Sequence, residues 1–191
     1  MAAMGSMTAE ERDRVVSGLE RTRDALAAVL SGLTPAQWHF QHGEGVWSIR
    51  ECADHILVIE RLLLQTVRDL AAGPPDPERS ARVRGKDDRM LAALADRAFK
   101  VRVPFPTRPS GEADSPAAYV GALHTVRAEV LEYARTTQDG LRDRVARHPL
   151  LKDLDGVQWL LLIWAHTDRH LAQIREVQAH PDYPGAKTVV A

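Results

Sequence analysis

The chain has 191 residues, 45% hydrophobic and 27% charged, a size and balance that suit one globular domain with its own core. Its formal net charge is −1 and acidic residues balance the arginines, which argues against the basic surface that nucleic acids and anionic membranes attract. The longest apolar candidate, Leu160 to Ala165, is too short to span a bilayer, and the single cysteine, Cys52, cannot form an intramolecular disulfide. We therefore expect a cytoplasmic protein with neither a nucleic-acid nor a membrane partner.

The first predicted helix begins at Thr8. Thr8 and Glu11 form a capping box, in which the hydroxyl accepts from an early backbone N–H and the carboxylate reaches back. Apolar residues then recur at helical spacing as far as Leu33. Thr34-Pro35 is expected to end this helix, because a proline disfavours helical geometry in the residue before it. A short helix or a loop should follow.

The second predicted helix has the clearest start in the chain. Ser48 and Glu51 form another capping box, and Trp47 and Cys52 stand where a hydrophobic staple would pack. A Gly-Pro-Pro sequence should stop the helix after about Ala72.

This second helix is apolar nearly all round. On a helical wheel Leu57 and Leu64 lie on its back, opposite His55 and Ile59. A helix of this kind is expected to be central in the fold or to lie at a dimer interface.

A long crossover follows the second helix. Between residues 73 and 115 the composition shifts to Pro, Gly, Arg and Asp, with too few apolar residues for a separate core. One short helix is predicted around Asp87–Ala98, and Val101–Pro106 is predicted to be extended chain.

Two further long helices are predicted in the C-terminal half. Ser115-Pro116 is a good helix entry, a capping residue followed by proline at the first helical position, and this helix should extend to about Thr137. Asp155 and Gln158 are expected to cap the fourth helix, which should continue to roughly Ala179. The sequence shows no run of alternating polar and apolar residues, so no strand is predicted.

These elements predict an all-α fold, a four-helix bundle with a long crossover between its second and third helices. The predicted domain is single and spans residues 7–185. Residues 1–6 are interpreted as a cloning remnant.

Three histidines on two of the predicted helices are the candidate functional residues. His166 and His170 are four residues apart, slightly more than one helical turn, so both rings project from one face, and that face is apolar. His55 lies on the apolar side of the second helix. Polar rings directed at a core are costly unless something satisfies them, and one metal ion would satisfy all three. The alternative is that each ring is a hydrogen-bonded core residue or lies at a bundle end.

Two other side chains lie close to these histidines in the sequence. Cys52, one turn before His55, is interpreted as a small buried hydrophobe, with a role as fourth ligand as the alternative. Gln173, three residues after His170, is placed to orient a metal ligand or a bound water. The remaining histidines are expected to be exposed: His39, His42, His124, His148 and His180.

Two segments of the chain resemble the DinB/YfiT-like superfamily. Residues 45–55, GVWSIRECADH, are similar to its helix-two signature, and residues 166–174, HTDRHLAQI, to its helix-four signature, including the glutamine. Leu33–Gln37 and the Pro-rich crossover with Val103-Pro104 also resemble the family, so the similarity covers essentially the whole chain after Met7. All three histidine positions match the pattern.

The resemblance implies a divalent-metal site, often for zinc or nickel, formed by His55, His166 and His170, and it implies frequent homodimers. Related proteins include S-transferases that use the low-molecular-weight thiols bacillithiol or mycothiol. The first functional hypothesis is therefore a metal-dependent transferase whose thiol cofactor attacks a small electrophilic substrate. A metal-dependent hydrolase is the second, and a non-catalytic metal-binding or small-molecule-binding bundle the third. No catalytic base is assigned.

Overall fold

The computed structural model describes residues 5–98, 109–111 and 114–185. Its helices are, in chain order, α1 (Ala9–Leu30), α2 (Pro35–Trp38), α3 (Ile49–Ala72), α4 (Pro77–Val83), α5 (Asp87–Ala95), α6 (Pro116–Thr136) and α7 (Gly156–Gln178). A 3₁₀ turn at Leu141–Asp143 precedes two strands, β1 (Val145–His148) and β2 (Lys152–Asp155). None of these helices combines the length and the apolar character that crossing a membrane requires.

The four long helices form the predicted bundle. α3 packs against α6 and α7, and α1 packs against the same two helices from the other side. The C-terminal residues Leu30 of α1 and Ile174 of α7 share one hydrophobic cluster with Ile49 and Tyr119, which lie near the N-termini of α3 and α6. α1 and α7 are therefore parallel neighbours, and α3 runs antiparallel to both.

The four predicted starts of the long helices are confirmed. Thr8, Ser48 and Asp155 each form a complete capping box, and the Ser115 hydroxyl accepts from a backbone N–H one turn later. Each of these residues satisfies a donor that the first helical turn otherwise leaves without a partner. The starts could be read from the sequence because the cap is a local feature.

The predicted end of the first helix is wrong. α1 stops at Leu30, and Gly32 then adopts a positive φ of 73°. Thr34-Pro35 begins α2 instead, with Thr34 as its cap and Pro35 at its first position. A proline favours an extended residue before it, so the same dipeptide is compatible with a helix end and with a helix start.

The prediction that the chain has no strand is also wrong. β1 and β2 form an antiparallel hairpin in which Val145 is opposite Asp155 and His148 is opposite Lys152. Each strand has only four residues, too few for an alternating pattern to stand out. Asp155 ends β2 and also caps α7, so the hairpin leads directly into the last helix.

The crossover begins with two short helices rather than the one predicted at Asp87–Ala98. α4 precedes this region, and α5 ends at Ala95 after packing along α7. The Val101–Pro106 segment, predicted to be extended, lies outside the described residues.

A polar layer divides the core of the bundle into two hydrophobic clusters. Arg127 of α6 is fully buried and donates to both carboxylate oxygens of Glu60 on α3, at 2.6 and 2.8 Å. It also donates to the Thr22 hydroxyl of α1 at 2.7 Å and to the Thr167 hydroxyl of α7 at 3.2 Å. Each long helix thus contributes a residue to this layer, and the buried charges are paired and hydrogen-bonded, as burial requires.

The hydrophobic residues on either side of the polar layer fill the rest of the core. Leu57 and Leu64, on the back of α3, are each 3% exposed and belong to the two clusters on opposite sides of the layer. The stripe that hinted at an interface therefore lies inside the chain, and α3 is central, which was the other predicted position.

Candidate metal centre

The three predicted histidines meet between α3 and α7. The ring centroids of His166 and His170 are 4.5 Å apart, and the His55 ring lies 5.0 Å from the first and 4.9 Å from the second. One ring nitrogen from each residue can be chosen so that all lie within 4.8 Å of one another. The helical spacing aligns the two rings on α7, and the packing of α3 against α7 brings in the third.

The spacing of the nitrogens fits a shared ion. The Nε2 atoms of His166 and His170 are 3.1 Å apart. Two imidazole nitrogens bound at about 2.0–2.1 Å to one ion, at tetrahedral or octahedral angles, would be roughly 2.9–3.4 Å apart. His55 and His170 are buried and His166 is half-buried, so the site lies at the edge of the core. The donor set therefore suits a divalent transition metal.

Gln173 determines which nitrogen of His170 faces the other histidines. Its Oε1 lies 3.0 Å from the His170 Nδ1. An amide oxygen only accepts, so Nδ1–H donates to it and the lone pair is on Nε2, the atom directed at His166. This contact is the one expected for a residue that orients a metal ligand.

Burial favours the neutral form of two of the three histidines, His166 and His170. Burial, followed by the neighbouring His55, lowers the pKa of His170 to about 3, against the opposing effect of the hydrogen bond with Gln173. Burial, followed by the neighbouring His170 and His55, lowers the pKa of His166 well below its ordinary value. Neutral imidazoles keep the lone pairs that metal binding needs.

An aromatic side chain covers one side of the cluster. The ring of Trp47, which precedes the cap of α3, lies 4.9 Å from the His55 ring and 6.0 Å from the His170 ring, nearly parallel to the latter. The sequence indicated Trp47 only as part of a hydrophobic staple with Cys52. Cys52 is fully buried in a hydrophobic cluster, where burial raises the pKa of its thiol, so it fits the predicted role of a small hydrophobe.

Two arginines join the end of α5 to α7 beside the histidines. Arg169 donates through Nη1 to the carbonyl oxygens of Leu94, at 2.9 Å, and Asp96, at 2.5 Å. Arg97 donates to both carboxylate oxygens of Glu176, at 3.1 and 2.7 Å. Both guanidinium groups contribute to lowering the pKa of His170, after burial and His55.

The far end of the crossover is held against α3. Asp54, directly before His55, is 1% exposed and accepts from the Ser110 hydroxyl at 2.8 Å and from the Gly111 N–H. Arg50 donates to the Gly111 carbonyl at 3.1 Å. Both described ends of the crossover are thus anchored next to histidines of the cluster, a role that the sequence did not reveal for Asp54.

The other histidines lie apart from this centre. Among the described residues, His55, His166 and His170 form the one group of three or more side chains arranged to hold a metal. His148 and His180, predicted to be exposed, are half-buried: His148 packs 5.3 Å from the Trp159 ring, and His180 stacks 4.5 Å from His42. The remaining ones are exposed as predicted: His39, His42 and His124.

Comparison with known proteins places this chain in a family. The DinB superfamily model matches residues 18–174, which include all three histidines. The uncharacterized protein YuaE of Bacillus subtilis (strain 168) is 25% identical over 149 residues, 78% of this chain and 88% of YuaE. The solved structure of YfiT from Bacillus subtilis has the same fold, with a TM-score of 0.57 and 16% sequence identity. The match covers 93% of this chain and 91% of YfiT. YfiT is described as "a probable metal-dependent hydrolase with an unusual four-helix bundle topology". The family match spans most of the sequence, and this chain belongs to the DinB superfamily.

Proposed function

We propose that this chain is a divalent-metal-dependent enzyme in which His55, His166 and His170 hold the ion. The observation that carries the proposal is the convergence of three imidazole rings, with one ring nitrogen from each within 4.8 Å of the others. Three protein ligands leave a coordination position for water or substrate, the arrangement found in catalytic sites. The three candidate ligands carry no negative charge, so the centre would favour an anionic fourth ligand. We propose zinc or nickel as the ion, both of which imidazole ligands suit.

A bound ion of this kind lowers the pKa of a coordinated water or thiol and so supplies a nucleophile near neutral pH. The chain's own residues prepare the site for that chemistry. Gln173 holds the His170 ring so that Nε2 faces the cluster, and Trp47 shields the ring faces of His55 and His170 from water. Arg97 and Arg169 hold the end of α5 against α7 next to His170.

The reaction we propose first is transfer of a small electrophile to a low-molecular-weight thiol. The thiol sulfur bonds to the electrophilic carbon, the leaving group departs with its electron pair, and the thiol proton passes to solvent. Support comes from the family's thiol transferases and from the lack of charge on the three candidate ligands. Hydrolysis is the second candidate, supported by the description of YfiT, which shares the fold.

Metal content is the first test. The protein, purified without a polyhistidine tag, and its His55→Ala and His166→Ala variants should be compared by elemental analysis, with His124→Ala as the control because His124 is exposed on α6. We expect about one ion per chain in the wild type and the control, and almost none in the two site variants. A wild type without metal after controlled reloading would overturn the proposal.

The second test separates the two reactions. The metal-loaded protein should be supplied with 1-chloro-2,4-dinitrobenzene and with 4-nitrophenyl acetate, each with and without bacillithiol or mycothiol. Thiol-dependent release of chloride, lost in His166→Ala, supports S-transfer. Metal-dependent release of 4-nitrophenol without thiol supports hydrolysis instead. Turnover that is equal in the metal-free variant would exclude both.

A further inference from the structure

The turn that joins β1 to β2 is held by an ionisable side chain. The Nδ1 atom of His148 lies 3.1 Å from the backbone nitrogen of Leu150 and 3.1 Å from that of Leu151. A backbone N–H only donates, so Nδ1 accepts both hydrogen bonds and the ring is neutral, with its proton on Nε2. Asparagine and aspartate side chains commonly hold turns in this way. Here the acceptor is a group that can take up a proton.

The same turn contains a strained backbone residue. Lys152, which is opposite His148 in the hairpin, has a φ of 66° and is the one non-glycine residue with a positive φ in the described part of the chain. A residue with a Cβ atom adopts this left-handed region only at a cost in free energy. Leu150 is 55% exposed, so the tip of the turn gains little from packing. The two hydrogen bonds to His148 therefore contribute much of what holds the tip closed.

The base of the hairpin is held by contacts that do not involve His148. Arg79 of α4 donates to both carboxylate oxygens of Asp153, at 3.1 and 2.8 Å. The guanidinium holds the pKa of Asp153 below its ordinary value, so this ion pair persists at mildly acidic pH. Asp155, at the end of β2, caps α7. Loss of the bonds to His148 would therefore open the tip of the hairpin and leave its base in place.

His148 is the group at the tip whose charge changes at mildly acidic pH. Burial lowers the pKa of His148 below 6.5. Its ring packs 5.3 Å from the ring of Trp159 on α7, which carries no charge. The neighbouring side chains on the hairpin, Arg147 and Lys152, stay charged between about pH 5 and pH 7. From α7, the titratable group that responds to a charge on His148 is His166, whose neutral form burial favours.

We propose that the hairpin tip is a proton-sensitive turn, closed while His148 is neutral and open once its ring binds a proton. Protonation makes Nδ1 a donor that faces two backbone donors, so both hydrogen bonds are lost. Lys152 can then leave the left-handed region, and the His148 ring can move off Trp159, which is only 5% exposed in the closed turn. A buried indole thus becomes accessible as the pH falls. This switch does not depend on the metal centre or on the proposed function.

The test is an NMR titration of the full chain from about pH 7.5 to pH 5. The ring signals of His148 report its protonation, and the exchange protection of the Leu150 and Leu151 amides reports the turn. In the wild type, the protection of both amides should fall by at least about tenfold, with the same midpoint as the ring, since each lost hydrogen bond contributed to closure.

Three variants separate the acceptor from the charge. His148→Asn keeps an acceptor in the turn but does not titrate, so the protection of both amides should persist to pH 5. His148→Leu has no acceptor, so protection should already be low at pH 7. His124→Asn is the control, since His124 is exposed on α6, and it should behave like the wild type.

Unchanged protection of both amides in the wild type, while the His148 ring takes up its proton, would overturn the inference, and this outcome needs no variant. Wild-type protection at pH 7 in a folded His148→Leu protein would overturn it as well. Acrylamide quenching of Trp159, measured as the difference between the wild type and Trp159→Phe, is an independent measurement. Quenching should rise on acidification in the wild type and stay constant in His148→Asn. An equal rise in both would mean that acid opens the bundle elsewhere, which refutes the switch.

Discussion

Gln173→Leu should weaken metal binding without removing a metal ligand. In the wild type, the Nδ1–H of His170 donates to Gln173 Oε1 at 3.0 Å, and His170 is only 7% exposed. With leucine in place, a metal-bound His170 must keep a buried N–H without a partner, because the ion occupies Nε2. The metal-free ring can change tautomer or turn, so the cost falls mainly on the bound state.

The magnitude follows from that lost hydrogen bond. A buried donor without an acceptor costs about 1–3 kcal/mol, which corresponds to roughly a 5- to 150-fold loss of affinity. Loss of a hydrogen-bonded partner of a ligating histidine typically lowers metal affinity by about 10–100-fold, in the same range. We therefore expect Gln173→Leu to raise the zinc dissociation constant by about 10–100-fold.

The assay is a zinc competition titration against a chromophoric chelator at constant pH. Gln173→Glu is the matched variant, since its carboxylate accepts from Nδ1–H more strongly and should restore or raise the affinity. Gln178→Leu, at the end of the same helix, should bind zinc like the wild type. If Gln173→Leu and Gln178→Leu had the same dissociation constant, Gln173 would not orient His170 and the tautomer argument would be wrong.

Three further predictions concern stability. Glu60→Leu leaves the buried Arg127 charge without its carboxylate, so the free energy of urea unfolding should fall by about 3–5 kcal/mol. The double variant Glu60→Leu/Arg127→Met should recover most of that loss. A double variant whose loss equals the sum of the two single losses would contradict this reasoning. Gly18→Ala would place a Cβ 2.7 Å from an indole carbon of α7 and should lower the melting temperature, whereas Gly121→Ala, with open space around it, should raise it through helix propensity. Equal shifts in the two alanine variants would show that the indole simply moves away. Burial lowers the pKa of His148 below its ordinary value of 6.5, so the unfolded chain binds more protons than the folded one at mildly acidic pH. The contribution of neutral His148 to stability is therefore complete above about pH 6.5 and is lost as the pH falls. His148→Asn should therefore lose less stability than the wild type between pH 7 and pH 5 in chemical denaturation, and parallel pH profiles would refute the assignment.

The helix starts and the pairing of His166 with His170 on one helix face could be predicted because their signals are local. Thr8, Ser48 and Asp155 carry cap patterns within four residues, and one helical turn sets the spacing of His166 and His170. The third imidazole, that of His55, comes from a helix in the other half of the chain. Its place beside the other two could be inferred only from the apolar surroundings of His55 and from the family resemblance.

The features that were missed depend on contacts between distant segments. Arg127 is fully buried because groups from the other three long helices surround it, and nothing in its own neighbourhood distinguishes it from a surface arginine. Asp54 is buried because Ser110 and Gly111 of the crossover return to α3. The sequence did not indicate the hairpin because each of its two strands has only four residues. Sequence periodicity does not encode such pairings.

The polar layer at the centre of the bundle also fixes the axial register of the four long helices. If any long helix slid by one turn, about 5.4 Å, its polar residue would leave the layer and a buried charge or hydroxyl would lose its partner. Glu60 follows His55 by five residues on α3, and Thr167 adjoins His166 on α7. The same layer therefore aligns α3 and α7, which come from opposite halves of the sequence. Their imidazoles lie close together in the folded chain before any ion binds.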